Sequence, residues 1–161
     1  MKYFKVNEQL QVVAISDDYP DELRNYDPET SCPWYRKADG RRGAGWLNRN
    51  DIDSFMLAQV IADAATEFSG QTYLATDAGD HTSSRYDAKP APVLGDDASM
   101  GFNGDYYPVG KIIAIGKTFR QIKVSGDRGV ITFYRRKLSG AWLHKGFSLV
   151  PGIINRWNPE F

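Results

Sequence analysis

The chain has 161 residues, 42% hydrophobic and 13% aromatic, which is enough apolar material for one domain or two small lobes and excludes global disorder. Lys+Arg and Asp+Glu balance at 20 each, but residues 1–100 carry 10 cations against 17 carboxylates while residues 101–161 carry 10 against 3. Such a separation creates a surface field that steers partners although net charge vanishes, and it makes the C-terminal part the natural seat of an anionic partner.

The single cysteine, Cys32, has no second thiol for an intramolecular disulfide or a thiolate zinc site, which fits a reducing, cytoplasmic setting. The N-terminus lacks an uninterrupted apolar stretch of signal-peptide length. No window approaches the ~18 apolar residues of a membrane span, so the expectation is a soluble protein with no membrane partner.

In chain order, Tyr3 to Val6 and Gln11 to Ser16 are β-rich runs joined by a polar connection, and predict a hairpin. From Asp17 to Asn50, Pro20, Pro28, Pro33, Gly40, Gly43 and Gly45 break every candidate element, leaving a long loop anchored by Trp34, Tyr35 and Trp46. A helix is predicted over Asp51 to Phe68 with Asn50 as N-cap. Its apolar residues Ile52, Met56, Val60, Ala64 and Phe68 recur every four positions, which marks a core helix. Ser69-Gly70 ends it, and Gln71 to Thr76 reads as a strand packing back on it.

Residues 77–104, rich in Gly, Asp, Ser, Ala and Pro, read as a surface connector. Beyond it, Val109 to Ile115, Gln121 to Val124, Val130 to Arg135, Ala141 to His144 and Phe147 to Val150 are short strand-like runs separated by turn residues. The expected fold is α+β: an N-terminal hairpin and one core helix in an acidic region 1–76, then a basic region 105–161 forming a small SH3-like or OB-like β-barrel, the whole one compact unit. Trp157 and Phe161, in an otherwise polar tail, read as anchors that close the barrel.

Three constellations could carry chemistry. The first is the basic barrel: Lys111, Lys117, Arg120, Lys123, Arg128, Arg135, Arg136, Lys137 and Lys145 fall within 35 residues, opposed there only by Asp127. Phe119, Phe133, Tyr134 and Trp142 are interleaved with them, the mixture that single-stranded nucleic-acid binders use. Phosphate contact is assigned to Lys117, Arg120, Lys123, Arg135, Arg136 and Lys137, and stacking to Tyr134 or Trp142. Strand alternation places Phe133 with Arg135 on one face and Tyr134 with Arg136 on the other, so one pair should be exposed. The competing reading is a plain barrel core under an ordinary solvated charged face.

The second is the Gly-rich loop Trp34 to Trp46, where Arg41 and Arg42 could bind phosphate; it lacks the Gly-Lys-Ser/Thr ending of a phosphate loop. The third is Asp77, Asp80 and His81, two carboxylates beside a histidine. His81-Thr82-Ser83 matches one half of the His-x-Ser/Thr pair of two-histidine phosphoesterases, but His144 lacks the second half, and loop capping explains the segment as well. With two histidines and one cysteine, neither a metal site nor a cofactor is expected. Cys32 has no local base to activate it.

The runs Ser84-Arg85-Tyr86-Asp87-Ala88-Lys89-Pro90, Gly104-Asp105-Tyr106-Tyr107-Pro108-Val109-Gly110, Gly140-Ala141-Trp142 and Asn158-Pro159-Glu160-Phe161 resemble the C-terminal half of small accessory proteins of tailed bacteriophages. The resemblance covers about half of the chain. It implies a phage origin, action in the host cytoplasm and a binding role, with no activity to carry over.

The reading is therefore a non-enzymatic binding protein that engages an anionic partner, either nucleic acid or the acidic face of a host or defence protein, through its basic barrel. The alternative is a small phosphoesterase or nucleotide-sequestering protein using Asp77, Asp80 and His81 with Arg41 and Arg42. A third reading makes Asp17, Asp18, Asp21 and Glu22 a stripe that mimics nucleic acid.

Overall fold

The structure, a computed structural model, describes residues 2–36, 43–48, 51–77, 86–137 and 139–159. The chain divides into two compact units, Met1–Ala91 and Pro92–Phe161, so the boundary falls inside the stretch expected to be a connector.

In the first unit, β1 (Tyr3–Val6) and β2 (Val12–Ser16) form the expected antiparallel hairpin. The loop that follows contains a one-turn helix α1 (Asp21–Arg24) and a short strand β3 (Gly45–Leu47), which pairs with the free side of β1. Trp46 holds this loop from inside. Its backbone exchanges hydrogen bonds with Pro33 and Tyr35, and its indole N–H donates to a Glu22 carboxylate oxygen at 2.9 Å. Lys5 donates to the same carboxylate at 2.7 Å, so Glu22 links α1 to β1 and β3 at once.

The principal helix, α2, spans Phe55–Ser69 and starts four residues later than the sequence predicts. Asp51 belongs to a turn of its own ahead of the helix: its carboxylate accepts from the Asn48 backbone N–H and its own N–H donates to the Asn48 carbonyl. The N-cap is accordingly Ser54, whose hydroxyl accepts from Leu57 N–H at 3.2 Å, and Gly70 closes the helix in the left-handed region with φ 72°.

The buried stripe of α2 is Ala58, Ile61, Ala62 and Ala65, where small side chains let the helix sit close to β4 (Tyr73–Asp77), β5 (Tyr86–Pro90) and β2. Met56, Val60 and Phe68, expected in the core, face solvent instead. Thr66 ties helix to strand. Its hydroxyl donates to the Ala62 carbonyl and accepts from Tyr73 N–H, both at 2.8 Å. The core joins Phe4, Val6, Leu47, Ile61, Tyr73 and Ala88 with their neighbours.

The second unit is a closed six-stranded antiparallel barrel of β6 (Asp97–Phe102), β7 (Asp105–Ile115), β8 (Gln121–Gly126), β9 (Gly129–Arg135), β10 (Trp142–His144) and β11 (Phe147–Pro151). Each strand pairs with its successor, and β11 closes on β6. The fold is thus α+β with a small C-terminal barrel. The 77–104 segment differs from a connector: it supplies β5, which pairs with β4, and β6, the strand that closes the barrel.

β7 is long enough, at 11 residues, to pass from one neighbour to the next. β7 pairs with β6 through its first half and with β8 through its second, and it turns at Gly110, which has φ 129° and no room for a Cβ against the Ser125 carbonyl. The interior holds Ile112, Ile122, Val124 and Phe133, flanked by Val109 and Trp142. No helix among the described residues is long and apolar enough to cross a membrane.

The tail is fastened differently from the expectation. Trp157 is 67% exposed, so it is no barrel anchor, and Phe161 lies outside the described residues. Instead Arg156 pairs through its backbone with Tyr106, and Asn158 donates from its backbone to Asp105 and from its side chain to the Asn103 carbonyl. The fully buried Ser99 completes the attachment, its hydroxyl donating to the Gly152 carbonyl at 2.7 Å and accepting from Ile154 N–H at 2.8 Å.

Two outcomes test this architecture. Ser99→Ala should cost roughly 1–3 kcal/mol in chemical denaturation, because it removes the one hydroxyl that serves two hydrogen bonds and leaves the Gly152 carbonyl and the Ile154 N–H without it. Glu22 should make stability pH-dependent: hydrogen bonds from Lys5 and then from Trp46 hold its carboxyl below the usual range. A depressed carboxylate contributes stability that is present above its unfolded pKa and is lost as pH falls through its folded one. Denaturation midpoints should therefore drop on acidification through the carboxylate range, and less so in Glu22→Gln.

Candidate nucleic-acid interface

Alternation along the barrel strands sorts the basic residues into outward and inward sets. In β8, Ile122 and Val124 point inward while Gln121 and Lys123 are exposed; in β9, Phe133 is fully buried and Tyr134 is 57% exposed. Of the two face pairs, Tyr134 with Arg136 is the exposed one. Phe133 packs in the core against the His144 ring, and Arg135 is half-buried.

Two loops lie side by side at one end of the barrel because the strands leading into them are paired. The β7–β8 loop carries Lys117 and Arg120, and the β9–β10 loop carries Arg136 and Lys137; Gln121 faces Tyr134 in register, and Arg135 N–H donates to the Arg120 carbonyl at 2.9 Å. Trp142 bolts the loops together. From β10, its indole N–H donates to the Phe119 carbonyl across 2.6 Å. Phe119 itself takes φ 55° in a tight turn whose N–H returns to Gly116, and this turn aims its carbonyl at the indole.

Arg135 lies over the Trp142 ring, its guanidinium carbon 5.3 Å from the centroid, and donates from Nε to the Gly140 carbonyl at 3.0 Å. Burial lowers its pKa from the ordinary arginine value. These contacts make Arg135 and Trp142 positioning residues for the loops: Trp142, buried and committed on its edge and face, offers no open stacking platform.

The loops consequently present Lys117, Arg120, Arg136 and Lys137 together, all exposed, with Lys123 on the adjoining wall. Among the described residues none of these five enters an ion pair. The barrel's one ion pair among those residues joins Lys111 to Asp97 at 2.7 Å. Arg128 and Lys145 sit on the β8–β9 and β10–β11 turns at the other end, apart from the cluster.

The acidic candidates behave differently. Glu22 is engaged by Lys5 and Trp46, Asp17 lies 3.6 Å from Lys2, and Asp21 lies 3.7 Å from Arg24, so most of the proposed acidic stripe has local cationic partners. Asp77 ends β4 in a half-buried position opposite Tyr86, while Asp80, His81, Arg41 and Arg42 lie outside the described residues. Trp34 and Trp46 bridge each other and hold the loop around Pro33, which is the structural role the sequence offered them. Cys32 is exposed, and no cluster of metal-ligating side chains occurs among the described residues.

Sequence reasoning missed Ile113 and Val130, which stand on the outer wall near Lys123 and are 51% and 58% exposed. Alternation beside the buried Ile112 turns Ile113 outward, and the bulge between Ile112 and Ala114 sets Ala114 next to it opposite Lys123. Comparison with protein-family models, with curated proteins and with solved structures finds no match for this chain.

If Trp142 is the bolt, Trp142→Phe should keep most of the packing but lose the bond to Phe119, lowering stability by about 1 kcal/mol. Tyr134→Ala, on the outer wall, should stay within about 0.5 kcal/mol of the parent. Equilibrium denaturation in urea would measure both.

Proposed function

We propose that this chain is an accessory protein of a tailed bacteriophage that binds nucleic acid in the host cytoplasm through the basic end of its barrel. The observation that carries the reading is the group Lys117, Arg120, Arg136 and Lys137, exposed, free of ion pairs among the described residues, and gathered by two loops that Trp142 clamps. Cations placed together without counter-ions repel one another slightly and gain when a polyanion supplies phosphates, releasing the ions condensed on it.

The local charge pattern favours this reading over a stripe that imitates nucleic acid, since several of the N-terminal carboxylates are already matched to cations. Phosphate contact is assigned to the four loop cations and Lys123. Arg135 and Trp142 act behind them as supports.

Retention on immobilised nucleic acid should be strong at low salt and fall with a log–log slope of ~0.7–0.9 per phosphate neutralised. The double variant Arg136→Gln with Lys137→Gln should weaken binding across sequences and reduce the slope by about 2. Absence of retention at low salt would remove the nucleic-acid reading and leave an acidic protein surface as the partner to seek.

A further inference from the structure

We infer that the outer wall of β7, β8 and β9 is a platform for unpaired bases, so that the nucleic acid taken up is single-stranded; the inference rests on the nucleic-acid reading above. The strand register makes the wall explicit. Its outward side chains form three neighbouring rows: Lys111, Ser125 and Val130; then Ile113 and Ala114, Lys123 and Thr132; then Gln121, Tyr134 and Leu143. Three of these are large apolar or aromatic side chains left half-exposed or more, namely Ile113 at 51%, Val130 at 58% and Tyr134 at 57%.

Singly such residues need no explanation, but here one stands in each row of a single sheet face. Along the outer face of β9 and just past its end the order is Val130, Thr132, Tyr134, Arg136, so an apolar station and an aromatic one lie about 13 Å apart and the basic loops begin just past the second. Lys123 stands beside Thr132, between those stations.

That order decides the occupant by charge. Lys123 among apolar neighbours would repel a basic partner, whereas a strand whose phosphates reach Lys123, Arg136 and Lys137 can lay its bases on the wall. A duplex keeps its base faces stacked inside and would offer this surface only backbone, leaving Ile113, Val130 and Tyr134 without a counterpart. Tyr134 is the ring on which a base would stack, because its face is not covered by Arg135, which lies on the opposite side of the strand over Trp142.

The test compares three labelled probes by fluorescence anisotropy with the full chain at low salt: a mixed-sequence single strand of roughly 20 nucleotides, longer than the usual footprint of such a barrel, the matching duplex, and polyphosphate, which has charge but no bases. The single strand should bind tightest. Tyr134→Ala should weaken it roughly 5- to 150-fold, the range expected for one stacked base, and leave polyphosphate unchanged. Tyr134→Phe should retain the affinity of the parent, and Val130→Thr, which keeps the strand's shape, should weaken the single strand alone. Equal binding of single strand and duplex, or a Tyr134→Ala loss shared by polyphosphate, would overturn the wall while leaving the phosphate site standing. Failure of all three probes to bind would overturn both.

Discussion

The hydrogen bond from the Trp142 indole to the Phe119 carbonyl is the constraint on which the candidate surface depends. It joins a side chain on β10 to a loop 23 residues earlier, and through that loop it sets where Lys117 and Arg120 stand relative to Arg136 and Lys137. The bond alone contributes about 1 kcal/mol, which would not hold two charged loops together in isolation. Arg135 adds the rest of the clamp: its guanidinium covers the indole face, an arrangement worth roughly 0.5–2 kcal/mol depending on desolvation, and its Nε meets the Gly140 carbonyl. A cation inside the clamp also raises the positive potential under the surface without occupying it.

The electrostatic cost of the arrangement is small. Two unit charges about 10 Å apart in water repel by about 0.4 kcal/mol before screening, and salt at physiological strength cuts such terms to about a third over about 8 Å. A stable barrel tolerates that easily. The same cations acting together on a chain of phosphates each release counter-ions, so clustering adds affinity while costing little fold stability. Divided at Ala91, the two units carry opposite totals, 10 cations against 15 carboxylates in the first and 10 against 5 in the second. What distinguishes them is pairing as much as sign: Lys2, Lys5 and Arg24 meet carboxylates, and the loop cations of the barrel do not among the described residues.

Much of this was legible in the residues, for reasons that also explain the gaps. Gln121 to Val124 and Val130 to Arg135 alternate cleanly, so their strands and the opposite facing of Tyr134 and Phe133 follow from period two, whereas which of the two meets solvent is set by closure of the barrel. Asp97–Phe102 does not alternate in size; Ala98, Ser99 and Gly101 pack on both faces of β6, and a methyl on Gly101 would sit 2.6 Å from the Tyr106 ring that covers it. Small residues at a crowded closure look like a linker when read one by one. In α2 the four-residue recurrence of Met56, Val60 and Phe68 suggested the wrong face, because alanines at 58, 62 and 65 pack more closely than larger side chains and leave the bulkier stripe outside. For the candidate site, the cations were identifiable but their convergence was not: the loops that carry Lys117 and Lys137 come to one end of the barrel through β8–β9 register and a Trp142 contact, both of which are tertiary.

Closure of the barrel narrows how it can recognise anything. Each barrel strand has a neighbour on both sides along part of its length, β11 returning to β6, so the sheet has no terminal edge strand for an incoming peptide to extend. Recognition must pass through side chains on the wall and loops. There the accessible chemistry is guanidinium, ammonium, one phenol ring and two branched aliphatic groups, with the phenol flanked by Gln121 and Leu143 in register. A peptide partner matching that set would need carboxylates spaced to the loops and apolar groups spaced to the wall, a demanding coincidence. A flexible polyanion whose repeating unit couples one negative charge to one flat apolar face meets both requirements at once, and single-stranded nucleic acid is the common biological polymer built that way.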